Sequence, residues 1–439
     1  MKKPQVEMVV EADLVISGVG DLLTCADRSL GPGAGSSLGR VAGGAVAAHA
    51  GRVVWVGEGS RLGDEVRLLP GGQSVDAEGR VVMPGVVECH THPVFAADRA
   101  DEFQLRVAGA TYQEVAAAGG GIMSTVHATR TASDDMLRSL TRRRLDRFLA
   151  YGVTTVEAKS GYGLSLEHEL RLLEVCRDVA ADHVVDVVPT LLAAHSVPVE
   201  YIGQADAYVD MVVKKMIPAA AKRKLAWFCD AFCEEWAFSP AQCRRVLEAG
   251  IAHGLTPKLH ADQMTSGGGT ELAAELGAVS VDHLDHVSDA GIAALGAAPG
   301  RRRPPVAVLL PGATFFLGEG GHAPARRLLD AGARVALSTD FNPGSSPTQN
   351  LWLMATMGCS QLRMSAEEVI RAITIEAAAA LGLDDEVGSL EVGKKADILI
   401  LENARYSEIP YRYGMNPVWR VYKQGRLVLE RGRHGEIEP

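Results

Sequence analysis

Five histidines and one aspartate stand out by their positions. His90 and His92 are two residues apart. On a β-strand, positions i and i+2 face the same side, so both imidazoles can reach one ion. His195, His260, His283 and Asp340 each follow a short apolar run, where a strand would end. Neutral imidazoles joined by a carboxylate suit zinc or iron. A catalytic site of that kind also keeps one coordination position for water. An HxH pair alone is weak evidence. HxH followed by a strand-end His260 and a strand-end Asp340 is far stronger. The bland alternative for His260 is a core or surface histidine. The run Pro257-Lys258-Leu259-His260-Ala261-Asp262 argues against it, because it presents the ring where the strand stops.

These residues need a scaffold that brings strand ends together. Eight β-like runs can be counted, ending near His90-Thr91-His92, Ala158-Lys159, Ala194-His195, Cys233-Glu234-Glu235, Leu259-His260, Asp282-His283, Leu310-Pro311 and Thr339-Asp340. Helical patterns separate many of them. Ser133 is placed to cap a helix with Asp134 and Asp135 in its first turn and Gly152 at its end. Ser365 and Glu368 have capping-box spacing, and Gly382 reads as that helix's stop. Eight strands with helical crossovers suit an α/β fold of the (β/α)8 barrel type, in which all strand ends converge on one mouth. A doubly wound sheet is the alternative that periodicity leaves open.

The first 80 residues and the last 50 or so read instead as short, Gly-punctuated strands, with a loop at 31–37. Each set is too small for its own core. They are expected to form one small composite β-sandwich from 1–80 and 385–439, with the barrel over 81–384. The crossover at 93–150 is the longest and contains Gly119-Gly120-Gly121. It reads as a lid over the mouth or as a longer surface loop.

Composition excludes several classes. With 44 Lys and Arg against 54 Asp and Glu, the formal charge of −10 argues against a nucleic-acid partner. The 439 residues can bury a large core without disulfides. Seven cysteines with no CxxC pair read as reduced thiols. Cys89, between Glu88 and His90, should point away from the ligands into the core. No apolar run reaches 18 residues, so no membrane association is expected. The first residues, MKKPQVEMVVEAD, do not read as a signal peptide, and a cytoplasmic protein is the default. Gly267-Gly268-Gly269 lacks the spacing of a phosphate loop. A homodimer is the commonest arrangement of soluble oligomers.

The run Pro84-Gly85-Val86-Val87-Glu88-Cys89-His90-Thr91-His92 resembles the opening metal motif of the amidohydrolase superfamily. Within it, the chain is most similar to the imidazolonepropionase family of histidine degradation. The segments carrying that likeness are Asp98-Arg99, Ala118-Gly119-Gly120-Gly121-Ile122, Lys159-Ser160-Gly161-Tyr162-Gly163-Leu164 and Ala193-Ala194-His195-Ser196-Val197-Pro198. They continue through Leu259-His260-Ala261-Asp262-Gln263, Val281-Asp282-His283-Leu284-Asp285-His286 and Leu337-Ser338-Thr339-Asp340-Phe341-Asn342-Pro343-Gly344-Ser345. The resemblance spans about residues 80–420. It implies a metal-dependent barrel with a β-sandwich built from both chain ends. It implies hydrolysis of 4-imidazolone-5-propanoate, a cyclic amide, to N-formimidoyl-L-glutamate. It also implies one divalent zinc or an iron ion per subunit, held by His90, His92, His260 and Asp340.

The residues allow that chemistry to be argued directly. A metal lowers the pKa of water and supplies a nucleophile at neutral pH. Asp340 can take the proton and pass it to the leaving nitrogen. His283 can polarise the carbonyl, or instead only orient Asp340. An anionic substrate meeting a chain of charge −10 needs local positive potential. Arg99 is the candidate carboxylate clamp, against the alternative of a solvated Arg beside Asp98 and Asp101. The resemblance adds Tyr162 and His195 as substrate contacts. Asn342, Gly344 and Ser345 follow the Asp340 strand, where a turn can offer backbone N–H donors to an anion. Some family members carry Glu where this chain has Gln263, and an amide can hydrogen-bond the ring but cannot act as base. Lys159 ends the second strand, not the fourth where some superfamily members carry a metal-bridging lysine, so a single ion is expected. Deamination of a purine-like or other aromatic ring shares the metal set, and Arg99, Tyr162, His195 and Asn342 favour the imidazolone over it. A non-catalytic scaffold would not need all four ligand candidates and His283.

Overall fold

A computed structural model describes residues 9–26, 38–109, 120–296, 304–318 and 320–432. The loop at 31–37 and Ala118 and Gly119 lie outside the described residues.

Eight short, fully or largely buried strands form one parallel sheet: β1 (Val86–Glu88), β2 (Val153–Lys159), β3 (Asp186–Ala194), β4 (Phe228–Cys233), β5 (Thr256–Ala261), β6 (Ser280–His283), β7 (Val306–Leu309) and β8 (Val335–Leu337). Each pairs with the next in sequence order. The first and last strands stop two or three residues before their functional side chains. There the His90 N–H donates to the Ser338 hydroxyl instead of to a ladder carbonyl, and Asp340 turns into a left-handed backbone with φ +52°. Pairing then resumes in a parallel bridge between Thr91 and Phe341, with the His92 N–H donating to the Phe341 carbonyl at 2.9 Å. That bridge joins β1 to β8, and the sheet closes into the expected barrel.

Local sequence sets the crossovers. The Ser133 hydroxyl accepts from the Met136 N–H and starts the helix Asp134–Ala150, and Gly152 leaves it at φ +79°. Ser365 and Glu368 form the full capping box of the helix Ala366–Ala372. That helix ends before Thr374, whose hydroxyl donates back to the Ile370 carbonyl; a second helix, Ile375–Ala380, runs on to Gly382. The long first crossover contains the helices Ala100–Val107, Ile122–Thr131 and Asp134–Ala150.

The barrel interior is layered. Val87, Cys89, Val188, Phe228, Val306 and Val308 form an apolar cluster packed with the helix Ile375–Ala380. Cys89 is therefore core, and burial pushes its thiol well above the ordinary range. The charged residues Glu157, Lys159, Asp230, Lys258 and Asp282 are also buried in the barrel, none of them measurably exposed.

Both chain ends contribute to a second unit. A four-stranded sheet takes Arg52–Glu58, Gly44–His49, Val10–Ser17 and Val66–Asp76. A six-stranded sheet orders Arg426–Glu430, Val418–Lys423, Ile398–Leu401, Val81–Pro84, Asp21–Leu23 and Arg40–Ala42. Leu14, Ile16 and Val46 of the first sheet pack on Val82, Ile398, Ile400 and Trp419 of the second. Val81–Pro84 pairs with Ile398–Leu401 and Asp21–Leu23, so these residues, on the barrel side of a boundary drawn at 80/81, lie in the sandwich sheet. Among the described residues no helix is long and apolar enough to cross a membrane.

Candidate active site

The strand ends bring the histidines together. The His90 ring centroid lies 5.4 Å from that of His92, 4.4 Å from His260 and 5.5 Å from His283. Asp340 places Oδ1 3.4 Å from His90 Nε2 and 3.5 Å from His92 Nε2. Two sets, His90–His92–Asp340 and His90–His260–His283, each have all their potential ligand atoms within 4.8 Å of one another. All five side chains are buried.

The ring nitrogens show what this cluster can hold. His90 Nε2, His92 Nδ1, His260 Nε2 and His283 Nδ1 are buried without a hydrogen-bond partner. Buried ring nitrogens left without a partner in this number would be costly in a site holding no cation. The outer faces are fixed. His90 Nδ1 lies 2.7 Å from Asp282 Oδ2, and the Asp282 carboxyl is held well below the usual range: burial opposes its charge, but Lys258, Lys159 and His90 outweigh that. An ionised carboxylate only accepts, so Nδ1 is the donor and Nε2 keeps its lone pair inward. His260 Nδ1 lies 3.0 Å from Asp230 Oδ2, out of line for a good hydrogen bond, with Nε2 again inward. Three imidazoles and a carboxylate fit a zinc or iron ion.

Lys159 sits beneath the ligands. Its ammonium lies 2.7 Å from Asp230, 3.0 Å from Glu157 and 3.5 Å from Asp282. Burial opposes its charge, but the three carboxylates outweigh burial and keep it protonated.

Among the expected substrate residues, Tyr162 and His195 reach the cluster. His195 stacks on His92 at 5.2 Å, and Tyr162 lies 5.9 Å from His92 and 5.5 Å from His195. His195 Nδ1 bonds the Gly161 carbonyl at 3.0 Å, and burial pushes its pKa down to about 3. A carbonyl only accepts, so His195 is neutral with Nδ1 protonated and Nε2 an acceptor. Gln263 is half-buried on the loop after β5.

One expectation needs correction. The Gly344 and Ser345 N–H groups are not free for an anion: both donate to Asn342 Oδ1 at 2.8 Å. Asn342 Nδ2 in turn donates to the Asp340 carbonyl at 2.7 Å and to the Ser345 hydroxyl at 2.8 Å. Asn342 is thus the internal brace of the Asp340 turn, as short amide side chains often are. Arg99, the candidate carboxylate clamp, is not a solvated cation beside Asp98 and Asp101. Its Nε and Nη2 bond Glu102 at 2.8 and 2.6 Å, and Nη1 lies over Gly344.

Sequence reasoning passed over the residues that hold this machinery. Asp282 stood only within the run 281–286, without a role of its own, and Asp230 in none of the segments singled out. Glu169, in the first turn of the helix Leu166–Asp182, accepts the N–H groups of Gly161, Gly163 and Leu164 at 3.0, 2.7 and 2.7 Å. It thereby folds the loop that carries Tyr162. Glu234, after β4, accepts from the N–H groups of Met264 and Thr265 and shapes the loop of Gln263.

Comparison with known proteins now decides the family. Residues 116–429 match the model of an amidohydrolase family. An imidazolonepropionase of a Geobacillus species is 46% identical over 424 residues, 96% of this chain and 99% of its own. That of Symbiobacterium thermophilum is 48% identical over 96% of this chain and 98% of its own. That of Brevibacillus brevis is 51% identical over 82% and 84%. The chain belongs to the imidazolonepropionase family. Solved structures agree on the fold. A zinc-bound adenosine deaminase from Xanthomonas campestris superposes with a TM-score of 0.68 at 20% identity, over 96% of this chain and 94% of its own. Escherichia coli guanine deaminase gives 0.67 at 15%, over 95% and 100%. At such identities the likeness is one of fold, the barrel with its sandwich.

Proposed function

We propose that this protein hydrolyses 4-imidazolone-5-propanoate to N-formimidoyl-L-glutamate in histidine breakdown, with one zinc or iron ion held by His90, His92, His260 and Asp340. The reading rests on the convergence of those four side chains with unpaired, buried ring nitrogens beside an ionised Asp340.

A bound ion supplies the Lewis acidity that makes water a nucleophile near neutral pH. Asp340 takes the proton of that water. Burial opposes its charge, but the His90 and His92 contacts outweigh burial and keep the carboxylate ionised. The same proton can go to the ring nitrogen as its bond to the carbonyl carbon breaks. His283 is pushed down to about 4, by burial above all, and is neutral at pH 7. A neutral imidazole can donate one N–H to the carbonyl oxygen as charge develops there. The His195 Nε2 acceptor suits a ring N–H. Arg99 receives the propanoate, through Nη1 or by exchange with Glu102. Gln263 hydrogen-bonds the ring.

The test is a spectrophotometric assay with freshly generated imidazolone propanoate, beside guanine and related rings. Loss of imidazolone absorbance that stops on chelation and returns with zinc or iron is expected. Turnover of the purines alone would overturn the reading. Elemental analysis of the protein as isolated identifies the ion.

A further inference from the structure

The barrel holds a lysine that the proposed reaction does not use. Lys159 is fully buried, and two of its three partners are also partners of candidate metal ligands. We propose that Lys159 is a positioning residue, the internal cation that aims His90 and His260 at the metal. The inference rests on the metal-site reading above.

The contacts run through shared oxygens. Asp230 Oδ2 is 2.7 Å from Lys159 Nζ and 3.0 Å from His260 Nδ1. Asp282 Oδ2 is 3.5 Å from Lys159 Nζ and 2.7 Å from His90 Nδ1. One ammonium on β2 is therefore one carboxylate removed from ligands on two sides of the barrel, His260 on β5 and His90 beyond β1. The link is direct because Asp230 sits on β4 and Asp282 on β6, flanking β5.

Charge explains why a cation is required there. Asp230, His260 and Asp282 have potential ligand atoms within 4.8 Å of one another, and both carboxylates are fully buried. Like charges at that separation repel strongly in a medium of low dielectric. Taken alone, the three side chains would themselves make a cation site. Lys159 fills that role with a group attached to the chain. The carboxylates stay ionised, Asp282 accepts from His90 Nδ1 while Asp230 lies 3.0 Å from His260 Nδ1, and both Nε2 atoms stay inward.

A merely structural ion pair would behave differently. Arg371 and Glu376 form such a pair at 2.7 Å, both nearly fully buried and part of no candidate metal set among the described residues. Breaking it should lower stability alone.

The experiment uses wild type, Lys159→Met and Arg371→Met, each loaded with Co(II) and titrated against a chelator. Ligand-orienting partners typically contribute 10- to 100-fold to metal affinity. Lys159→Met should lose about that much at the mouth site and show a changed Co(II) visible spectrum. Arg371→Met should unfold at lower temperature with the spectrum of wild type. If Lys159→Met does not fold, Asp230→Asn replaces it, since it keeps the ammonium but removes the charge that Lys159 and His260 share; it should show a smaller loss of the same kind. A folded Lys159→Met, or Asp230→Asn in its place, with wild-type affinity and spectrum overturns the proposal. Absence of any metal site in wild type would overturn the functional reading instead, so the two failures are distinguishable.

Discussion

Glu102 holds the guanidinium of Arg99 at two points, with Nε–Oε2 at 2.8 Å and Nη2–Oε1 at 2.6 Å. The two residues are three apart at the start of the helix Ala100–Val107, and Glu102 also accepts the Gly121 N–H at 2.7 Å. A substrate carboxylate must therefore use the remaining Nη1 edge or replace Glu102. Either way it gains charge-assisted hydrogen bonds, each contributing about 1.5–3 kcal/mol. Arg99→Met should raise KM for the propanoate substrate by about 10- to 100-fold on that basis, with a smaller change in kcat. An imidazolone lacking the propanoate should not distinguish the variant from wild type. Equal KM values for the propanoate substrate would reduce Arg99 to an ion pair that starts a helix.

Gly344 offers an independent handle on the same contact. A Cβ built there would come 2.1 Å from Arg99 Nη1, with no backbone among its three nearest atoms. The side-chain tip can move aside, so the fold should tolerate Gly344→Ala while the guanidinium shifts. The variant should raise KM in the manner of Arg99→Met at nearly unchanged melting temperature. A large stability loss with normal KM would mean that the turn, and not Arg99, needs the glycine.

Much of this site was legible in the sequence, for a physical reason. Short apolar runs closed or soon followed by His or Asp leave a clear mark, because an ionisable residue at the end of a buried strand is rare. His90, His92, His260, His283 and Asp340 were found that way. Counting strands suited a barrel but left a doubly wound sheet open, and the Thr91–Phe341 bridge shows the closure. What was not legible depends on which atom meets which. Asn342 and Gly344 share a turn in any reading, but only coordinates show that the amide oxygen consumes the N–H donors expected for an anion. Arg99 has Asp98, Asp101 and Glu102 all within reach in sequence, and the backbone direction at the helix start selects Glu102. Asp230 and Asp282 look like ordinary strand residues until the sheet curls and sets them against the histidines.

Gln263 tests how the proton work is divided. An amide cannot act as base, so its part is limited to hydrogen-bonding the ring. Gln263→Ala should weaken substrate binding more than turnover, read as a rise in KM with kcat nearly kept. A large fall in kcat at constant KM would show that Gln263 acts in the transition state. That result would take part of the proton-transfer role from Asp340 and His283.

His283 separates catalysis from metal binding, and pH separates both from folding. Its ring lies 5.4 Å from His260 and 5.5 Å from His90, close enough for a ligand, yet the fourth ligand in the reading above is Asp340. If His283 stabilises the oxyanion, His283→Ala should cut kcat by about 10²- to 10³-fold and leave metal content unchanged. A matching loss of bound metal would make it a ligand instead. The folded pKa of about 4, mainly from burial, lies below the ordinary 6.5. Between those values the unfolded chain binds more protons than the folded one, so stability should fall as pH drops from about 6.5 to 4. His195, pushed down to about 3, adds to the same trend. Melting temperatures of metal-free wild type should decline across that window, and His283→Ala should decline less steeply. Identical slopes for the two proteins would place the His283 ring in contact with water, where it can be protonated without opposing the fold.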